Sequence, residues 1–435
     1  MGRIDRALTR EFGVGLINVN MLTALAFVVV AVSIKNVFEI NINQYVLVFI
    51  AAAIMPFLSY RQLLCYGVSI IPFAEGMNSV ILWILFAFLI YKCPQSIKFN
   101  KMIYALMLLL IEFVNLLIFD GTADYKLLFF YSSYLLLFFY ITFLDINSKQ
   151  AKGMLLMYLL GLASLCLIIV ARIQYTMSLE EFITAHGRIG FAEIESNDET
   201  GYLNINPNSL GYYSIVGLSM LLATIKYYNI SFVWKITLGI SFVIAGALTV
   251  SRTWIIILVL CLVWFFLQNS TKIKYWIGLL ITLFVIIQFD LLPHDIVDSF
   301  EERFHEKTMA TGGGRSLIFE QYNDYMAKHI EKLPFGVGTL VINEVVKASH
   351  SPHNGTQQII VGCGIIGFLI FFAAACRFYR KYIQSQSVPI IMFMPFIAAS
   401  LFLQSIQFLS PFSLILPLAM TTLPFKIKRN VYQHK

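Results

Sequence analysis

The chain has 435 residues, of which 59% are apolar and only 13% charged, about half the roughly 25% charged fraction of a soluble domain. Its mean hydropathy is +0.77, and apolar runs of about 20 residues recur along it, each long enough to cross a hydrocarbon core of roughly 30 Å. This reads as an all-α polytopic membrane protein and excludes a soluble enzyme, a nucleic-acid binder and a single-anchor receptor; the formal charge of +7 comes from basic residues scattered among short connections, as the positive-inside rule places them.

In chain order, residues 1–15 carry Arg3, Arg6 and Arg10 ahead of an apolar stretch with no convincing small-residue cleavage site, and read as a retained cytoplasmic end. Spans are expected at about 15–34, 44–60, 102–119, 125–144, 153–172, 207–225, 236–250, 253–268, 275–290, 355–376, 388–404 and 406–425. Residues 63–91 hold two shorter apolar pieces separated by Pro72-Phe73-Ala74-Glu75-Gly76. They fit two short spans, one long kinked span or a re-entrant hairpin, which makes about 12 to 14 transmembrane helices in a single integral membrane domain, 1–435. The six cysteines lie in or beside apolar runs, so neither a disulfide framework nor a metal knuckle is implied.

With both termini cytoplasmic, the short inner connections hold 20 of the 31 Lys and Arg, and the short outer ones hold only Lys35, Lys126 and Arg252. That asymmetry predicts the orientation. Two long outer segments, 172–206 and 291–354, collect six of the seven histidines and 16 of the 24 carboxylates, counting Asp290. Connections longer than about 12–15 residues are uncommon unless functional or disordered, so the active face is expected outside, the second segment being the catalytic one. Water alone would also make such segments polar.

Four constellations have the residue types for chemistry. Thr311-Gly312-Gly313-Gly314-Arg315-Ser316 precedes apolar residues at 318, 322, 325 and 326, a helical spacing that puts Arg315 at a helix start. Free backbone N–H groups, the dipole and a guanidinium together suit a diphosphate; a glycine hinge with a solvated arginine has the same sequence. Ser349-His350-Ser351-Pro352-His353-Asn354 precedes the apolar run at 359–376, where imidazole can serve as general base or anion donor or remain a solvated loop group. Metal binding is the weakest role, for no third ligand stands at a recognised spacing. Arg252, between two spans, should face the bundle or snorkel to lipid phosphate. Asn206-Pro207-Asn208 offers amides for sugar hydroxyls or for helix capping. Arg172 and Arg188 are further anion contacts, and Glu112 and Glu75 read as bundle-buried partners for an arginine.

The order of these patterns is recognisable. Asn206-Pro207-Asn208 comes before a span, Ser251-Arg252 stands at an outer turn, and Gly313-Gly314-Arg315 opens an outer helix. Pro334-Phe335-Gly336-Val337-Gly338 follows, then His353-Asn354 before a span with Gly364-Ile365-Ile366-Gly367. Together they resemble the O-antigen polymerase and O-antigen ligase superfamily, over roughly residues 200–375 by motif and over the whole chain by span layout. The resemblance implies a glycosyltransferase of the bacterial inner membrane, working on undecaprenyl-diphosphate-linked oligosaccharide at the periplasmic face, without metal or other cofactor. It implies Arg252 and Arg315 for the donor diphosphate and His350 or His353, with Asn354 beside them, for the acceptor. Membrane lipid and a chain-length regulator are the other implied partners, and no nucleic acid is. The polymerase branch often shows two outer segments in which ten residues intervene between an arginine and a glycine; Arg303 and Gly314 keep that spacing, whereas Arg172 and Arg188 do not.

Physical chemistry leads to the same reaction class. A lipid diphosphate is already a good leaving group, so the enzyme has chiefly to place an acceptor hydroxyl behind the anomeric carbon and to stabilise the departing charge. A histidine, or a carboxylate such as Glu320, would take the hydroxyl proton, a step typically contributing about 10²–10⁴-fold. Attack from behind predicts inversion. The sequence favours a polymerase over its alternatives, a ligase delivering glycan to lipid A core and, in another class, a polysaccharide or lipid-linked-oligosaccharide transporter; no internal repeat of the kind many transporters contain is visible.

Overall fold

The structure, a computed structural model, describes residues 18–97, 99–118, 125–176, 203, 207–249, 252–268, 315–348, 355–378 and 412–422. In chain order the helices are α1 (Val19–Val37), α2 (Gln44–Ala52), α3 (Tyr60–Ile70), α4 (Ala74–Met77), α5 (Val80–Lys92), α6 (Phe99–Ile118), α7 (Tyr125–Thr142), α8 (Ser148–Thr176), α9 (Pro207–Tyr227), α10 (Phe232–Ala247), α11 (Arg252–Gln268), α12 (Arg315–Lys328), α13 (Ile342–Val346), α14 (Gly355–Phe378) and α15 (Phe412–Thr422). Among the described residues five of them, α1, α6, α7, α8 and α14, are long and apolar enough to cross a membrane, and five shorter apolar stretches accompany them. The chain is an all-α polytopic membrane protein.

α8 is the central post. Burial covers 72% of its apolar stretch, against 39% for α6 and α14, and α1, α3, α9, α10 and α15 all pack on it. Where lipid is as apolar as leucine, helices associate through close backbone approach at small residues. α3 approaches α8 in this way: a Cβ at Gly153 would stand 3.1 Å from Cys65 Sγ, and one at Gly161 would run into the Ser69 backbone. α6 lies at the rim. Met102, Ala105, Leu108, Ile111, Glu112 and Asn115 form its buried stripe at spacings of three and four, whereas Leu106, Leu110, Phe113 and Leu117 are exposed and apolar, a lipid-facing side.

One end of the bundle gathers basic side chains on backbone carbonyls. Lys92 Nζ donates to Pro56 O at 2.6 Å, Lys101 Nζ to Phe143 O at 2.9 Å, Lys152 Nζ to Asn229 O at 2.8 Å and Arg377 Nη1 to Asn100 O at 3.0 Å. Lys101 also pairs with Asp145 at 3.5 Å. Polar caps start α3 and α8 there: Ser59 and Gln62 form a capping box, and Asn147 and Gln150 bond each other's backbone N–H at 3.0 Å. At the opposite end lie the C-terminus of α8 and the starts of α9, α11 and α14.

Residues 63–91 form a hairpin. α3 runs on through a 3-10 turn at Ile71–Phe73, begun where Pro72 removes a backbone N–H, into α4. The chain then reverses at Asn78, φ 118°, and α5 returns against α3, with the Leu85 side chain lying over Gly67. Tyr60 and Ser96, flanking the hairpin, both bond the Tyr140 hydroxyl, at 2.8 and 3.0 Å. Both ends therefore lie at the basic end, which rules out the single kinked span. The span expected at 44–60 is likewise shorter: α2 stops at Ala52, and Pro56 enters a separate 3-10 turn. The spans expected at 275–290 and 388–404 lie outside the described residues, and α15 is the described part of 406–425.

Gly161→Val puts branched carbons against Ser69 backbone, which a rotamer change cannot clear. It should cost about 1–3 kcal/mol of stability, read as a lowered thermal midpoint in detergent; an unchanged midpoint would contradict the close α3–α8 contact.

Candidate functional site

α14 is broken at Gly364, which stands at φ 70°, ψ −175° between two helical halves. A break in a membrane helix frees backbone N–H and C=O groups, each costing several kcal/mol if left without a partner in lipid. Here the segment 333–338 takes them. Val337 N–H donates to Val361 O at 2.9 Å and Gly338 N–H to Gly362 O at 2.8 Å, while Ile365 N–H donates to Leu333 O at 2.9 Å and Ile366 N–H to Pro334 O at 3.1 Å. The two backbones interlock glycine to glycine. Gly336 is at φ 75° and Gly338 at φ 94°. A Cβ at Gly336 would lie 2.6 Å from Gly364 N, and one at Gly364 would lie 2.5 Å from Phe335 N.

α6 ties this joint to the bundle. The carboxyl of Glu112, fully buried, accepts the Thr339 N–H on both oxygens at 3.0 and 2.9 Å, and the Cys363 thiol donates to it at 3.4 Å. One turn further, Asn115 Nδ2 donates to Phe335 O at 3.1 Å. The Tyr131 hydroxyl lies beside Glu112, Thr339 and Cys363. Counting from the Arg377–Asn100 bond at the basic end, Glu112 is about 18 Å up α6 and Cys363 about 21 Å up α14, some two-thirds of the way across a hydrocarbon core of roughly 30 Å. The arginine partner expected for Glu112 is not what the structure places there: its partners among the described residues include the backbone amides of Thr339 and Leu340, the Thr339 hydroxyl and the Cys363 thiol.

Beyond the joint, α12, α13 and the first half of α14 share a small core of Tyr322, Val337, Ile342 and Val361, separate from the main one. Ile318, Tyr325 and Met326 pack on it, so the helical spacing at 318, 322, 325 and 326 does define the inner face of α12. Tyr322 Oη donates to Asn343 Oδ1 at 2.8 Å, and burial pushes the Tyr322 phenol above its usual range, keeping it neutral. Gln357 Nε2 donates to Phe319 O at 2.9 Å and Asn323 Oδ1 at 3.0 Å. The first turn of α14 therefore lies against the second and third turns of α12. Gln358, beside this contact, is 1% exposed, and neither end of its amide has a hydrogen-bond partner among the described residues.

Of the residues singled out in the sequence, His350, His353, Asn354, Arg188 and Arg303 lie outside the described residues. By backbone position, Arg315 opens α12, Arg252 opens α11 and Asn208 is the second residue of α9, behind Pro207 at its first position; Asn208 is thus inside the first turn and is not the cap. Arg252 stands two residues before Trp254, whose Nε1 donates to Ser214 Oγ at 2.9 Å and whose ring fills the space left at Gly246. Arg172 is buried and its Nη1 donates to Leu203 O at 2.7 Å, while the Leu203 N–H donates to Asn36 Oδ1 at 2.7 Å. Glu75 lies in α4, and Glu320 is on the exposed side of α12. Arg172, Asn208, Arg252 and Arg315 are all carried by elements at or beyond the end opposite the basic one. Thr339, Asn115 and Cys363 had no signal of their own in the sequence, although the glycines they surround did.

Gly336→Ala and Gly364→Ala combine a positive φ, a strain of about 1–3 kcal/mol, with a backbone collision. Both should lower the yield of folded protein and its thermal midpoint, whereas Gly239→Ala, whose Cβ would find only Leu221 Cδ2 at 3.8 Å, should not; equal midpoints for all three would contradict the interlock. No family model, no curated protein and no solved structure matches the chain.

Proposed function

We propose that the chain is a membrane glycosyltransferase of the O-antigen polymerase type, transferring a growing glycan from one undecaprenyl-diphosphate carrier to the sugar of another lipid-linked repeat unit. The observation that carries the reading is the seating of the first turn of α14 against the second and third turns of α12 through Gln357, Phe319 and Asn323. One of these helices is preceded by Gly312-Gly313-Gly314 and opens with Arg315; the other follows His353-Asn354. Each helix start presents free N–H groups and a positive dipole end to an anion. In the proposed reaction Arg315 and Arg252 stabilise the departing diphosphate, His353 or His350 takes the acceptor proton, and the anomeric centre inverts. By the positive-inside rule the basic end faces the cytoplasm and the reaction runs at the outer face of a bacterial inner membrane.

The ligase branch shares this donor chemistry and differs in acceptor. Glycans from a deletion strain separate the two: loss of a polymerase leaves core carrying one repeat, and loss of a ligase leaves core bare. One observation favours the transporter reading, for a broken helix with a buried carboxyl beside the break is a common transporter feature. Chain extension by purified protein in detergent, where no compartment exists, would decide against it.

In a reconstituted assay with defined lipid-linked repeat units, Arg315→Ala and Arg252→Ala should each lower polymer formation by about 10²-fold or more while the protein still accumulates in the membrane. Near-normal polymer from either variant would place the diphosphate elsewhere.

A further inference from the structure

The joint at Gly364 is made of backbone against backbone. Gly336, Gly338, Gly362 and Gly364 supply no side chains to fix how the segment 333–339 seats, and the unit beyond it has its own small core around Tyr322, Val337, Ile342 and Val361. Polar ties from α6 join that joint to the rest of the bundle, among them Glu112 to the Thr339 amide and Asn115 to the Phe335 carbonyl, three residues apart on one face of the helix. An ionisable residue within a span is costly, by at least about 2–3 kcal/mol, and an apolar side chain at 112 would suit the surrounding core better, so the carboxyl is there for what it holds. Both its oxygens accept the Thr339 N–H, and the Leu340 amide bonds the same carboxyl, which fixes the segment in both distance and direction.

We infer that Glu112 is a positioning residue: by holding the Thr339 amide it sets where the unit of α12, α13 and the first half of α14 stands over the bundle, and with it the helix starts at Arg315 and Gly355. The placement itself is independent of any activity. Its catalytic consequence rests on the glycosyltransferase reading, in which a shift of about 1 Å between donor and acceptor groups costs about 10²-fold in rate.

Thr339 Oγ1 lies 3.4 Å from Cys363 Sγ, so Thr339→Cys puts a thiol within about 1.4 Å of disulfide distance. Mild oxidation joins the two sulfurs, with loss of two electrons and two protons to the added oxidant, and mass spectrometry of unreduced peptides measures the product. In Thr339→Cys protein the disulfide is expected in high yield; with Glu112→Leu added, its yield should fall about tenfold as the segment leaves its seat. In the polymer assay Glu112→Leu should lower kcat about 10- to 100-fold with KM for the lipid donor within about twofold. The disulfide-linked fraction of the double variant, separated from unlinked protein, should recover kcat to within about threefold of disulfide-linked Thr339→Cys protein. Glu112→Gln, which keeps an acceptor for the amide, should lose less than about threefold.

Unchanged disulfide yield in the double variant, or a rate loss that the disulfide does not repair, overturns the assignment. If the unaltered protein extends no glycan, the proposed function fails while the disulfide yields still decide the positioning. Should Glu112→Leu not accumulate in the membrane, Asn115→Leu removes the second tie and is read by the same two measurements.

Discussion

A backbone that stops being helical inside a membrane must find partners for its N–H and C=O groups within the chain, and α14 does so at Gly364. The four hydrogen bonds between residues 333–338 and 361–366 satisfy eight backbone groups at about two-thirds of the bundle's depth. That requirement dictates the glycines on both sides, because only a residue without a Cβ lets the two backbones approach to bonding distance at positive φ. It also brings the segment between α12 and α13 down to the level of Glu112, so that a span, a loop and two outer helices become one assembly.

The architecture separates rigidity from exposure. α8, wrapped by five helices and held against α3 at Gly153 and Gly161, anchors a bundle whose basic end is sewn shut by lysine and arginine bonds to carbonyls. α6 and α14 stand at the rim, apolar toward lipid, with Glu112 and Asn115 of α6 turned to the joint. At the other end the chain concentrates helix starts, and Trp254 and Leu203 act as pins: one locks α9, α10 and α11 together, the other is held at both its N–H and its C=O by Asn36 and Arg172.

Much of this was legible in the sequence, and for a simple reason: the length of an apolar run translates directly into a span. The expected 125–144 and 207–225 lie close to α7 and α9, and the spacing of Ile318, Tyr322, Tyr325 and Met326 marked the inner face of α12. For residues 63–91 the charge asymmetry puts both ends of 61–101 on one side and favours a pair of crossings or a hairpin over one span, and Tyr60 and Ser96, both bonded to the Tyr140 hydroxyl, show the return. The partner of Glu112 was hidden. Thr339 lies 227 positions away and contributes its backbone N–H, a group every residue but proline has, so nothing in the residue type announces it. Arg172 illustrates the converse: its charge drew a ligand reading, and the structure shows it holding the carbonyl of Leu203.

Hydrogen–deuterium exchange on the protein in a lipid nanodisc tests the joint most directly. The amides of Val337, Gly338, Ile365 and Ile366 are predicted to exchange as slowly as those in the middle of α8, even though three of the residues around them are glycines in extended or left-handed backbone. Exchange as fast as that of the exposed 3-10 turn Ile330–Lys332 would contradict the account, for the segment would then not be seated in the break.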